Sequence, residues 1–257
     1  MKKEDLKDVL IEVAYRYPDT LRSYQLRDVP RIRFNIHMVL RALDRPVGTA
    51  EICDLGGGIG LFSAGCAAYG AKRMVLVDDF DDPVNHQIGA GILDLHRTLG
   101  VDVVSRDVIQ TGIQDLPGQF DIVTTFDSME HWHHSPKKLF AEIKSKLKPG
   151  GVFCLGVPNC VNLRKRLTVP LGFGKWSAMS DWYEQATFRG HVREPDVADL
   201  RYIAGDMNLR EVRIYGRNWL GYSSRHAWIR LAAQIFDYPL RLRPQLCSDI
   251  YMIGKIA

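Results

Sequence analysis

Four glycines within five positions, Gly56, Gly57, Gly58 and Gly60, follow an apolar run from Ile52 to Leu55 that carries Asp54, and precede Leu61-Phe62-Ser63-Ala64. Such an order reads as a strand, a tight loop and a helix start. Without Cβ atoms the loop backbone can turn sharply and lie against a ligand, and the free N–H groups of a helix start favour negative charge. The chemistry expected there is the holding of a nucleoside that carries an acidic group. Arg73 to Val77 is a continuous apolar strand ending in Asp78-Asp79. That spacing from Gly56 is close to the roughly 20 residues expected between a nucleotide loop and an acid that accepts from both ribose hydroxyls. Adjacent acids leave a strand end on opposite sides, so Asp78 is the expected ligand, with Asp79 second.

A second group able to do chemistry lies further on. Phe120 to Phe126 reads as another buried strand and runs into Asp127-Ser128-Met129-Glu130-His131-Trp132-His133-His134. If a hydroxyl is to react here, a base must reach its proton, and a histidine titrating near ~6.5 suits neutral pH. His131 is the expected general base, with Glu130 orienting it or the acceptor and His134 as substitute. Consecutive residues rarely wrap one ion, so no metal is expected at this run.

The dinucleotide fingerprint G-x-G-x-x-G, laid on Gly56 and Gly58, needs a glycine where this chain has Leu61. An NAD-dependent oxidoreductase on a similar sheet is therefore disfavoured, and stays as an alternative beside a non-catalytic nucleoside-cofactor-binding protein. The pattern present, Asp54-x-Gly56-x-Gly58-x-Gly60, resembles the first motif of class I S-adenosylmethionine-dependent methyltransferases. Phe120-Asp121-Ile122-Val123, then Glu130-His131, then Leu147-Lys148-Pro149-Gly150-Gly151-Val152 closely resemble the small-molecule branch that includes the ubiquinone and menaquinone enzymes. The resemblance covers residues 50–160. It implies S-adenosyl-L-methionine as cofactor and S-adenosyl-L-homocysteine as product, with the loop from Asp54 through Gly60, Gly57 included, under the methionine half. It further implies that Asp107 accepts from the adenine amino group, that the Val108 N–H meets a ring nitrogen, and that Phe126 belongs to the cofactor-contacting set. The Asn/Asp-Pro-Pro-Tyr/Phe motif of amino-group methyltransferases is absent after Phe126, which favours an oxygen acceptor and makes nucleic acid unlikely.

These residues need a sheet to hold them. The expected fold is α/β, a Rossmann-like seven-stranded, mostly parallel sheet with helices on both faces, and the resemblance implies that its final pair of strands runs antiparallel to the rest. Residues 1–46 are expected to form an N-terminal helical cover, since Leu6, Val9, Leu10 and Val13, then Ile32, Ile36, Val39, Leu40 and Leu43, recur at helical spacing. Residues 47–257 are expected, from the resemblance, to form the methyltransferase domain, with 159–193 as an insertion on the acceptor side after strand 5. That insertion holds Trp176, Trp182, Tyr183 and Phe188 and is too long for a plain connection. Asp82-Pro83 is expected to cap a helix that Gly100 ends. Strands are also expected over Leu209–Tyr215 and Ser248–Ile253, and a helix over Arg225–Tyr238.

At 257 residues, 46% hydrophobic and 25% charged, the chain is long enough for one large core and carries no sign of disorder. From the charged start Met1-Lys2-Lys3-Glu4-Asp5 and the lack of a long apolar run, neither a signal peptide nor a membrane span is expected, and a cytoplasmic location is. Most of the five cysteines lie in apolar or small-residue runs rather than C-x-x-C pairs, and they are expected to be reduced thiols. A net charge of +4 is too small to argue for nucleic acid. From Arg189 to Arg243 every basic residue apart from histidine is arginine, which hints at an anionic acceptor, a saccharide or a phosphate-bearing precursor.

Overall fold

A computed structural model describes residues 5–80, 91–174, 179–184, 186, 188–222 and 226–257. The sheet has seven strands: β1 (Glu51–Leu55), β2 (Arg73–Asp78), β3 (Val101–Ser105), β4 (Phe120–Phe126), β5 (Leu147–Pro158), β6 (Arg210–Arg217) and β7 (Asp249–Lys255). Their order across the sheet is β3-β2-β1-β4-β5-β7-β6. β1 lies parallel to β2 and to β4, so the chain reverses its direction of travel there and the loops after β1 and β4 open a crevice at their carboxyl ends. The expected pair of reversed strands is corrected to one. β7 is antiparallel to both β5 and β6, so β6 points the same way as β5 and β7 alone runs against the rest.

Alternation along the strands splits the apolar side chains into two cores. Ile52, Leu76, Ile122 and Val152 face one way, under the helices α1 (Leu6–Tyr15), α2 (Asp19–Leu43) and α3 (Leu61–Ala68). Cys53, Leu55, Val75, Val123 and Phe153 face the other, under α6 (Lys137–Lys146) and α9 (Val197–Asp206). Between them in the chain lie α4 (Gly91–Thr98), α5 (Val108–Thr111), α7 (Leu163–Thr168) and α8 (Met179–Tyr183), and α10 (Trp219–Tyr222) and α11 (Ala227–Arg241) precede β7. Both faces covered is the condition under which parallel strands become continuous apolar runs.

The local stops are those the residues call for. α4 ends before Gly100, which takes φ +88°, and α9 starts in a reciprocal cap between Asp196 and Asp199. The expected cap at Asp82-Pro83 and Trp176 lie outside the described residues. Cys53, Cys66, Cys154 and Cys247 are buried, Cys160 is half-buried, and none is in a disulfide. Among the described residues no helix is long and apolar enough to cross a membrane.

Candidate active site

The glycine loop is shaped from below. Gly56 takes φ +69° and donates its N–H to the Val77 carbonyl at 2.8 Å, joining the ends of β1 and β2. A Cβ on Gly56 would sit 1.9 Å from the Ser128 hydroxyl oxygen, so the loop after β4 packs directly against the loop after β1. Beneath Gly57 lies Asp54, only 1% exposed, whose carboxylate accepts from the Ser63 hydroxyl at 2.8 Å and from the Thr124 hydroxyl at 2.7 Å. Burial pushes its pKa up to about 6, against the pull of those two bonds. Asp54 is therefore a prop for the loop rather than part of its outer surface, which is a different task from the ligand contact expected of it.

Asp78, the last residue of β2, reaches across to the same loop. Its carboxylate accepts the Gly58 N–H at 2.9 Å and the Phe80 N–H at 2.7 Å, while Asp79 is exposed. These two bonds turn the carboxylate toward the glycine loop. The Asp78 carbonyl accepts the Arg106 N–H at 2.9 Å, which ties in the end of β3. There Asp107 caps α5, accepting from Ile109 at 2.9 Å and Gln110 at 3.2 Å through one oxygen, and Val108 is buried. Phe126 closes β4 half-buried, its ring edge-to-face with Phe62 of α3 at 5.0 Å. Loops after β1, β2, β3 and β4 thus meet at one edge of the sheet.

Three contributors to this edge carry no motif. Tyr17, fully buried between α1 and α2, donates toward the Ile59 and Gly60 carbonyls, both at 3.1 Å, and His96 of α4 places Nε2 3.2 Å from the same Gly60 oxygen. Arg31 of α2 pairs with Asp28 and with Asp127, the first residue past β4, which is held at φ +50°. Sequence periodicity shows that α2 packs and is silent on what its polar face grips.

The run after β4 separates its histidines. His133 and His134 are exposed, so His134 is not brought to the cleft by burial as His131 is. His131 is half-buried with Nδ1 2.8 Å from the Arg189 carbonyl, and burial, with the neighbouring His191, holds it below the usual histidine pKa. Glu130 is 1% exposed with Oε2 lacking any hydrogen-bond partner among the described residues, and no bond to His131 orients either group. Burial first, then the charges of Asp127, Glu194 and Asp249, push its pKa well above the carboxylate range. His191 stands edge-to-face with His131 at 4.8 Å and pairs with Glu194 at 2.7 Å. Burial would raise Glu194, but its bonds to His191 and Lys165 win and bring it to about 2. Glu130, His131 and His191 each offer a ligand atom, all within 4.8 Å of one another, and they are the residues here that could hold a metal.

On the far side of the crevice an aromatic wall continues from Phe126 to Tyr251 at 6.1 Å and on to Phe34 at 5.3 Å. Arg217 at the end of β6 lies with its guanidinium carbon 4.5 Å from both the Phe34 and the Trp219 ring centres. Among the described residues no carboxylate forms an ion pair with it.

Comparison with known proteins places this arrangement. Residues 26–214 match the family described as methyltransferase domain. A curated relative, the ubiquinone biosynthesis O-methyltransferase of Pseudomonas aeruginosa, is 26% identical over 154 residues, 57% of this chain and 60% of that enzyme. The match thus spans less than two thirds of that relative's length. Among solved structures, the magnesium protoporphyrin IX methyltransferase of Synechocystis with bound S-adenosylhomocysteine superposes with a TM-score of 0.57 at 14% identity, covering 97% of this chain and 94% of that one. A possible histamine N-methyltransferase of Thermotoga maritima gives 0.52 at 14% identity, covering 98% and 100%. At such identities the likeness is one of fold.

Proposed function

This chain belongs to the methyltransferase-domain family, and on that premise we propose that it is an enzyme that moves the methyl group of S-adenosylmethionine to an oxygen of a small or medium-sized acceptor. The observation that carries the reading is the glycine loop. Gly58 is pinned by Asp78 and Gly57 is propped by buried Asp54, at the carboxyl edge where ligands of open α/β sheets lie. In this reading the loop from Gly56 to Gly60 lies under the methionine half, Asp78 takes the ribose hydroxyls with exposed Asp79 at the rim, and Asp107 and Val108 meet the adenine. Phe126 and Phe62 wall the transferable methyl.

The sulfonium methyl is already activated, so the protein has to align an acceptor lone pair with the S–CH3 bond and, for a hydroxyl, take up its proton. His131 is the proposed base. Its Nδ1 faces a carbonyl, which only accepts, so the proton sits on Nδ1 and Nε2 carries the free lone pair. Glu130 borders the same space. Arg217, stacked on Phe34 and Trp219, supports an acceptor with a carboxylate or phosphate beside a ring or saccharide. A cytoplasmic enzyme working on a small molecule is the matching setting.

The test is conversion of S-adenosylmethionine to S-adenosylhomocysteine across a panel of hydroxyl acceptors with and without anionic groups. His131→Ala is expected to lower turnover on the best acceptor by roughly 10²–10⁴ with cofactor affinity unchanged. Near-normal turnover at saturating acceptor would remove His131 from the mechanism, and no turnover on any acceptor beside tight S-adenosylhomocysteine binding would favour a cofactor-binding protein without catalysis.

A further inference from the structure

We infer that Glu130, His131 and His191 form a binding site for one divalent transition-metal ion, with zinc the ion their donors fit. The three ligand atoms lie within 4.8 Å of one another, although His191 is sixty positions from its partners in the chain. The backbone builds that proximity: the Glu130 carbonyl accepts the Val192 N–H at 2.7 Å and the Arg193 N–H at 3.2 Å, fastening the His191 segment to the turn after β4.

Each imidazole has its Nδ1 engaged by an acceptor. His131 turns Nδ1 to the Arg189 carbonyl at 2.8 Å, and His191 turns Nδ1 to the Glu194 carboxylate at 2.7 Å. Each partner is an acceptor, so each Nδ1 bears the proton and each Nε2 is left with a lone pair. Metal-binding histidines are held in this way, by a carbonyl or carboxylate on the nitrogen that does not bind the ion. Glu194 is itself fixed by Lys165, which keeps it from wandering.

Glu130 supplies the independent sign of a missing partner. Its side chain is 1% exposed, and Oε2 is buried with no hydrogen bond among the described residues. A buried carboxylate oxygen without a donor is costly, and a cation is one way to satisfy it. Two imidazole nitrogens and one carboxylate oxygen make the three-ligand set of catalytic zinc, which keeps a position open.

The role of the ion rests on the methyl-transfer reading. With the ion bound, His131 Nε2 serves as its ligand; in the ion-free protein the same Nε2 is the base proposed above. The acceptor hydroxyl takes the open position, loses its proton to solvent, and its oxygen lone pair forms the new O–CH3 bond. The S–CH3 bond breaks with its electron pair left on sulfur, giving neutral S-adenosylhomocysteine.

The experiment uses the full chain, stripped with chelator and titrated with zinc against a chromophoric competitor, with manganese and magnesium in parallel. Wild-type protein should bind one equivalent of zinc, and His191→Ala and Glu130→Gln should each weaken that site at least tenfold, while S-adenosylhomocysteine affinity measured on the same samples stays within about twofold. Glu194→Gln should weaken zinc by 10–100-fold without removing a ligand. Cobalt in place of zinc should give visible bands in wild type that His191→Ala loses. Absence of stoichiometric zinc binding, or equal binding in wild type and both ligand variants, overturns the site. If S-adenosylhomocysteine still binds in that case, methyl transfer with His131 as base stands; if neither binds, the cofactor reading fails on its own ground.

Discussion

Replacing Gly57 by alanine tests the loop geometry where it is tightest. A Cβ there would lie 2.1 Å from Asp54 Oδ2, 2.9 Å from Asp54 Cγ and 2.9 Å from Leu76 Cδ1. None of these atoms is the free end of a mobile side chain, for Asp54 is 1% exposed and Leu76 is fully buried. Asp54 can retreat only by giving up Oδ2 as acceptor of the Ser63 hydroxyl, now 2.8 Å away. Losing a hydrogen bond to a charged group costs about 1.5–3 kcal/mol, and overpacking adds about 1–3 kcal/mol, so the expected loss is about 2.5–6 kcal/mol. For a domain of this size that lowers Tm by roughly 5–24 °C. Gly58→Ala is the control: no atom lies within 4 Å of its Cβ position, and only its φ of +55° is strained, at a cost of about 1–2 kcal/mol. Thermal unfolding followed by circular dichroism should therefore rank Gly57→Ala well below Gly58→Ala. A Gly57→Ala protein melting within about 2 °C of wild type would refute the claim that Asp54 fills the space under the loop.

Asp54 also gives a pH prediction. Its folded pKa, raised to about 6 from 3.8 by burial, means the native state holds the proton more tightly than the unfolded chain. This group's contribution to stability therefore falls as pH rises from about 4 to about 6, by at most about 3 kcal/mol, and is level above. Asp54→Asn should lose that slope, and a wild-type-minus-variant difference that stays flat between pH 4 and pH 7 would count against it. The Arg31–Asp127 pair should couple α2 to the loop after β4: a double-mutant cycle of Arg31→Ala and Asp127→Asn is expected to show about 1–3 kcal/mol of interaction, and additivity within about 0.5 kcal/mol would mean the pair is solvated.

Much of the site was legible because it rests on local chemistry. A glycine cluster after a strand demands a turn that only glycine makes easily, and Gly56 and Gly58 take φ of +69° and +55°. Asp78 was legible for a similar reason, since a strand of known length delivers its last side chain to a known edge. What stayed hidden depends on long-range packing. Asp54 reads as a ligand in a motif, yet the neighbouring strand places Thr124 beside it and turns it into a buried prop. Tyr17 and His96 look like ordinary core residues until α1 and α4 dock on the loop. His191 lies too far from His131 in the chain for spacing to reveal it; the Glu130 carbonyl's bonds to Val192 and Arg193, and His131's contact with the Arg189 carbonyl, bring it near. One signal was available: a histidine two residues from an arginine and three before Glu194, at the end of an insertion too long for a plain connection.

The central claim is that S-adenosylmethionine binds on the loop that Asp78 pins. Titration calorimetry of S-adenosylhomocysteine into wild type and Asp78→Ala tests it most directly. The account predicts one site in wild type and at least a tenfold weaker one in Asp78→Ala, since a charge-assisted bond to ribose contributes about 1.5–3 kcal/mol, with circular dichroism showing the variant folded. Equal affinity in the two proteins, or no binding to wild type, would contradict it.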